Sequence, residues 1–161
     1  PDSNRNRTMS TPWTRRVPQI VERRSTTLPQ TGDAALFRIR GGKIRVLNIV
    51  GEVTVAIQNQ ANNTKLKFNP AGAGSDTDLC TATSIANDQV GELYTISGDF
   101  SDALKTSSAF AAETDANMEA PGVILGPGDI ELDCAASNSG QVKWTLVYEV
   151  IDPAANVVAV Y

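Results

Sequence analysis

Apolar and polar residues alternate most regularly late in the chain, in QVKWTLVYEV, residues 141–150. Val142, Trp144, Leu146, Tyr148 and Val150 fall on one side; Lys143, Thr145, Val147 and Glu149 fall on the other. A period of two is the mark of a strand with one buried face. EVTVAIQ repeats it, with Val53, Val55 and Ile57 inward and Thr54, Ala56 and Gln58 outward. TKLKFNP does so too, with Leu66 and Phe68 inward and the lysines outward. LFRIR and KIRVLNI flank Gly41-Gly42, a two-residue hairpin signal, and Gly51 predicts a bulge or bend between two runs. AGAGSDTD reads as a loop, and LCTATSI and VGELYTISG as two further strands. VILGPGDIELDC reads as a strand, a Gly-Pro-Gly turn and a strand, and NVVAVY as a closing strand. Residues 99–121 are rich in Ala and Ser and poor in β-branched residues, which predicts a long loop with a short helix around Asp102 to Ala112. Short strands separated by Gly and Pro turns predict one all-β domain over residues 33–161, a β-sandwich of jelly-roll-like type. Phe37, Ile39, Val46, Leu93, Ile130 and Leu132 complete the expected core.

Residues 1–32 show no sustained period, and Pro12, Pro18 and Pro29 impose extended or turn geometry. They read as an extended arm, disordered in isolation or ordered against something else. Its candidate partner-binding residues are Arg5, Arg7, Trp13, Arg15, Arg16, Val17, Ile20, Arg23 and Arg24, with Val21 and Leu28 as further apolar anchors. Charge sharpens this picture. Through Arg45 ten basic residues face three acids, a net of +7; the remainder holds four lysines against fifteen acids, a net of −11. A basic arm and an acidic body on one chain complement each other, and so complement copies of the same chain, which steers assembly and sets register.

Candidate chemistry is sparse. The sequence contains no histidine, the commonest general base and transition-metal ligand. Cys80 and Cys134 have neither CxxC nor zinc spacing; they read as free buried thiols, with a single disulfide as the other reading. Asp129, Glu131 and Asp133 would share one strand face, a conceivable Ca²⁺ or acid–base group. The simpler reading puts Ile130, Leu132 and Cys134 toward the core and leaves the acids on the wet side. Asp76 and Asp78 form the other dense acidic pair, and AGAG lacks the Lys-Ser/Thr ending of a phosphate loop. The acidic body and the single aromatic of the arm argue against nucleic acid as the partner. No segment approaches the roughly 20 apolar residues of a membrane span, and the opening residues lack a hydrophobic signal core. These readings point to a non-enzymatic protein without a cofactor or metal.

The segments IRGGKIRVLNIVGEVTVAIQNQANNTKLKFNP, LCTATSIANDQVGELYTISGDFSDAL and PGDIELDCAASNSGQVKWTLVYEVID resemble small β-rich virion proteins of tailed bacteriophages. The resemblance lies in style and segment order over residues 37 to 152. It implies a capsid decoration or cement protein: a homo-oligomer, often a trimer, assembled in the host cytoplasm. It would sit on the outer capsid surface, bracing the major capsid protein. A tail or head–tail accessory protein shares the style, and a glycan-binding module shares the expected fold.

Overall fold

The computed structural model describes residues 17–107, 110–112 and 122–161, all strand, turn or irregular chain without a helix. Two antiparallel sheets pack face to face as a β-sandwich. The first runs β1 (Gln19–Thr27), β11 (Gln141–Val150), β3 (Ile44–Val55), β7 (Leu93–Thr95), β8 (Lys105–Ser107), with β9 (Val123–Leu125) also on β3. The second runs β12 (Asn156–Ala159), β2 (Gln30–Arg40), β10 (Gly128–Ser137), β4 (Asn63–Pro70), β5 (Thr77–Asp78), with β6 (Thr83–Ser84) also on β4. The inward residues of β10 (Ile130, Leu132, Cys134) and β11 (Val142, Trp144, Leu146, Tyr148) are each at most 2% exposed and meet across the two layers. Period-two alternation builds this core because each strand needs only one apolar face.

Trp144 sets the packing. Its register partner on β3 is Gly51, and Gly51 is in turn opposite Tyr94 on β7. A Cβ at Gly51 would stand 2.8 Å from two ring carbons of the indole, so the missing side chain is the space the ring occupies. The rings of Tyr94 and Trp144 sit 6.3 Å apart, tilted by 37°. Such aromatic pairs contribute about 0.5–1.5 kcal/mol beyond area burial. Gly51 is thus no bend: it lies within a paired strand, and the register shifts of β3 against β11 fall elsewhere.

Several expectations change. Gly41-Gly42 closes no hairpin, because β2 and β3 belong to different sheets. The turn at 152–155 presses onto this crossing, and a Cβ on Gly41 would fall 2.2 Å from the Ala154 carbonyl oxygen. Gly41 also has φ +77°, so both space and backbone demand glycine. Val55 is 47% exposed rather than buried. Gln141 pairs Val55 while the next residue, Val142, pairs Val53, and that bulge turns Val55 outward. Leu93 is only partly buried, since it pairs Glu52 on the outer face while Tyr94 takes the inner one. Phe68 packs partly buried at the core's margin. In place of a helix beginning at Asp102, Lys105–Ser107 pair with β7; residues 108, 109 and 113–121 lie outside the described part. The expected loop AGAGSDTD ends in strand β5, and LCTATSI keeps only the two-residue β6.

The Tyr94 hydroxyl reaches out of the core to donate to Asp88 Oδ2 at 2.6 Å. Burial pushes the Asp88 carboxyl up to about 6; the Tyr94 hydrogen bond opposes this and Glu92 adds to it. A carboxyl whose folded pKa exceeds its unfolded value stabilises the fold most below about pH 4, and that contribution is lost as pH rises through 6. Asp88→Asn retains an acceptor for Tyr94 without the charge. Its melting temperature should exceed wild type at pH 8, with the gap closing by pH 4 in a thermal-melt series.

Trp144→Ala should cost about 3–5 kcal/mol in denaturant unfolding, and Gly51→Ala about 1–3 kcal/mol from overpacking. The double variant should cost less than the sum, because the alanine methyl then enters space the indole has vacated.

Candidate partner-binding surface

The expected arm divides. Gln19–Thr27 form the edge strand β1, antiparallel to β11, so the sandwich includes residues assigned by sequence to a separate arm ending at 32. Pro18 and Pro29 bracket the strand, as proline does where chain enters or leaves a sheet. Arg5, Arg7, Trp13, Arg15 and Arg16 lie outside the described residues. The other four candidates have distinct placements.

Arg23 turns inward and is 8% exposed. Its Nε donates to the Val160 carbonyl at 2.6 Å and its Nη1 to Thr26 Oγ1. Burial pulls this guanidinium below its usual pKa, with Tyr161 acting the other way. The Arg24 backbone N–H donates to the Tyr161 hydroxyl at 3.1 Å, and its guanidinium stands 4.4 Å from that ring's centre. Both arginines therefore clasp the segment after β12 against β1, a cation–π and hydrogen-bond contact within one chain. Arg23 is thereby buried within its own chain, while Arg24 stays exposed on β1. An inward arginine is also why the strand hid in the sequence: QIVERRSTT has no apolar period of two.

Val17 and Ile20 are available, at 67% and 69% exposed. Ile20 lies in register with Val147 on the outer face of the first sheet, where Glu22 and Thr145 follow. The ion pairs Lys143–Glu52 (3.2 Å) and Arg45–Glu149 (3.0 Å) lie beyond them, and Ile124 across from Arg45 is 61% exposed. This face offers isolated apolar contacts between neutralised charges. The exposed part of β1 continues directly from the arginine-rich residues 1–16.

The acids of β10 do share the face opposite Ile130, Leu132 and Cys134, but they are not simply wet. Asp129 takes a bidentate pair from Arg38, 2.8 Å on each oxygen. Glu131 is buried beneath Lys67, whose ammonium bonds Asp33, lies 2.9 Å from Asp76 and lies 3.5 Å from Glu131. Burial alone would lower the Lys67 pKa; hydrogen bonds to Asp33 and Asp76 outweigh it and hold the pKa above the usual lysine value. Oxygens of Asp33, Asp76 and Glu131 come within 4.8 Å of one another, a spacing able to ligate a cation, and the lysine already supplies the positive charge there. No sequence pattern announces this group, because its members come from β2, β4, β10 and the loop before β5. Cys80 and Cys134 are free and buried, and burial raises both thiols, Cys80 to about 11. A thiol so protonated is a poor nucleophile.

Comparison of the chain with protein-family models, with curated proteins and with solved structures finds no match.

Lys67→Ala should leave the three carboxylates without their counter-charge and lower the melting temperature. Millimolar Ca²⁺ should then raise the melting temperature of the variant and leave wild type unchanged, as read by differential scanning fluorimetry.

Proposed function

We propose that the protein is a non-enzymatic virion structural protein of a tailed bacteriophage, a capsid decoration protein that binds the major capsid protein as a homo-oligomer. The observation carrying this reading is the junction at Val17. There an arginine-rich segment runs into an edge strand with exposed Val17 and Ile20, on a body whose charge is otherwise acidic. An edge strand offers unpaired backbone groups for another chain, and opposite charges on arm and body set the register of neighbouring copies. Exposed ion pairs contribute only about 0–1 kcal/mol each, so apolar contacts supply affinity, the arginines supply alignment, and repetition on a shell multiplies both. Residues 1–16 hold Arg5, Arg7, Arg15 and Arg16 against Asp2, and Trp13 is their apolar anchor.

The placement of β1 defines the informative truncation. Deleting residues 1–16 should leave the melting transition nearly unchanged and weaken self-association and cosedimentation with intact capsids, more so at low salt than at high. Deleting through Thr27 should unfold the domain, since it strips β11 of its outer neighbour and removes the Arg23 clasp. A 1–16 deletion that cosediments as tightly as the whole chain overturns the reading. Preferential sedimentation with tails, or retention on glycan resin, would move it to a tail accessory or a glycan-binding module.

A further inference from the structure

Where the chain crosses between the sheets after β2 and before β10, it encloses an open cleft of about 560 Å³. Arg38, Arg40, Asn69, Pro70, Pro127 and Asp129 shape it. The rim is fixed. Gly128 pairs with both Ile39 and Pro70, and the Ala71 N–H donates to the Pro127 carbonyl at 3.0 Å. Asn69 is held by donating to Glu131 at 3.2 Å.

The charges in the cleft are unequal in their commitments. Arg38 spends Nε and Nη2 on Asp129, which cancels that carboxylate and fixes the guanidinium plane. The side chain of Arg40, two residues on and on the same face of β2, makes no hydrogen bond, ion pair or ring contact among the described residues. Each of the other nine described lysines and arginines has a partner: Arg38, Lys43, Arg45, Lys65, Lys67 and Lys143 in ion pairs, Arg23 and Arg24 on the chain's last residues, and Lys105 elsewhere. In a body this acidic, one uncommitted guanidinium in a preformed cleft stands out.

We propose that this cleft is a carboxylate-binding site that takes an aspartate or glutamate side chain of a protein partner. The planar fork of Arg40 matches a carboxylate's two oxygens. The pyrrolidine rings of Pro70 and Pro127 give the side chain's methylenes an apolar wall. The acidic surroundings repel extended polyanions, so the site favours one localised negative charge over nucleic acid. The proposal deepens the assembly reading by naming what the partner presents.

The test is NMR titration of the isotope-labelled full chain with a capped peptide carrying a single carboxylate, acetyl-Ala-Glu-Ala amide, with glucuronic acid and with sodium sulfate. The peptide should shift the Arg40 Nε–Hε signal and the amides of Gly41, Ala71 and Gly128. Arg40→Gln should weaken that binding about tenfold, as expected for losing a charge-assisted hydrogen bond, and Arg40→Lys should restore part of it. Because Arg40 is exposed, both variants should keep the wild-type spectrum elsewhere. Shifts that are absent, that map to another face, that survive in Arg40→Gln, or that arise with glucuronic acid or sulfate but not the peptide overturn the proposal. Cosedimentation of Arg40→Gln beside the 1–16 deletion separates the two readings: peptide binding without any capsid association retains the site and rejects the assembly partner.

Discussion

The sandwich depends on one void filled by one ring. Gly51 has no side chain where the Trp144 indole lies, and Tyr94 flanks the same glycine from the other strand. This contact aligns β11, β3 and β7 at a single level of the first sheet; from it the inward face of β11 follows by alternation, and that of β3 does so between its two bulges. Protein interiors are packed densely enough that an added methylene is felt, so the pairing of the smallest residue with the largest fixes register as well as volume. The two bulges of β3, on either side of this level, are tolerated because it anchors the strands between them.

Electrostatics is organised around that frame rather than within it. Lys67 gathers three carboxylates from separate strands and a loop, and Arg38 neutralises Asp129 beside it. The first 45 residues carry a surplus of positive charge, but their arginines divide their work. Arg23, Arg24, Arg38 and Arg45 hold this chain together, Arg40 faces the cleft with no side-chain partner among the described residues, and the basic residues before Val17 form the leading segment. Bulk charge asymmetry read along a sequence sums over these roles. It identifies an excess and leaves its distribution to the fold.

The strands whose polar and apolar positions alternate cleanly were legible from the amino acids alone: β4, β10 and β11, with most of the core they form. Where a local irregularity intervenes, the pattern misleads. The bulge opposite Val55 reverses its facing, and the inward Arg23 disguises β1 as an arm. Gly41-Gly42 has the chemistry of a tight turn, yet the glycines answer a different demand, the close approach of the 152–155 turn at a crossing between layers. The Lys67 group and the Arg40 cleft were invisible for a simpler reason: their residues are scattered in sequence and meet only through strand order.

Strand order also dictates when this protein can fold. In each sheet the early strands are not neighbours of one another. β10 separates β2 from β4, and β11 separates β1 from β3. The two strands that join them arrive late in the chain, ending at Val150. On a ribosome, the first four strands therefore emerge with their apolar faces made and their partners unmade. Non-local pairing of this kind is slow and leaves sticky edges exposed in the interval. Vectorial synthesis gives the first four strands no early frame: the two keystones that join them follow all four, and only then can β12 add to β2.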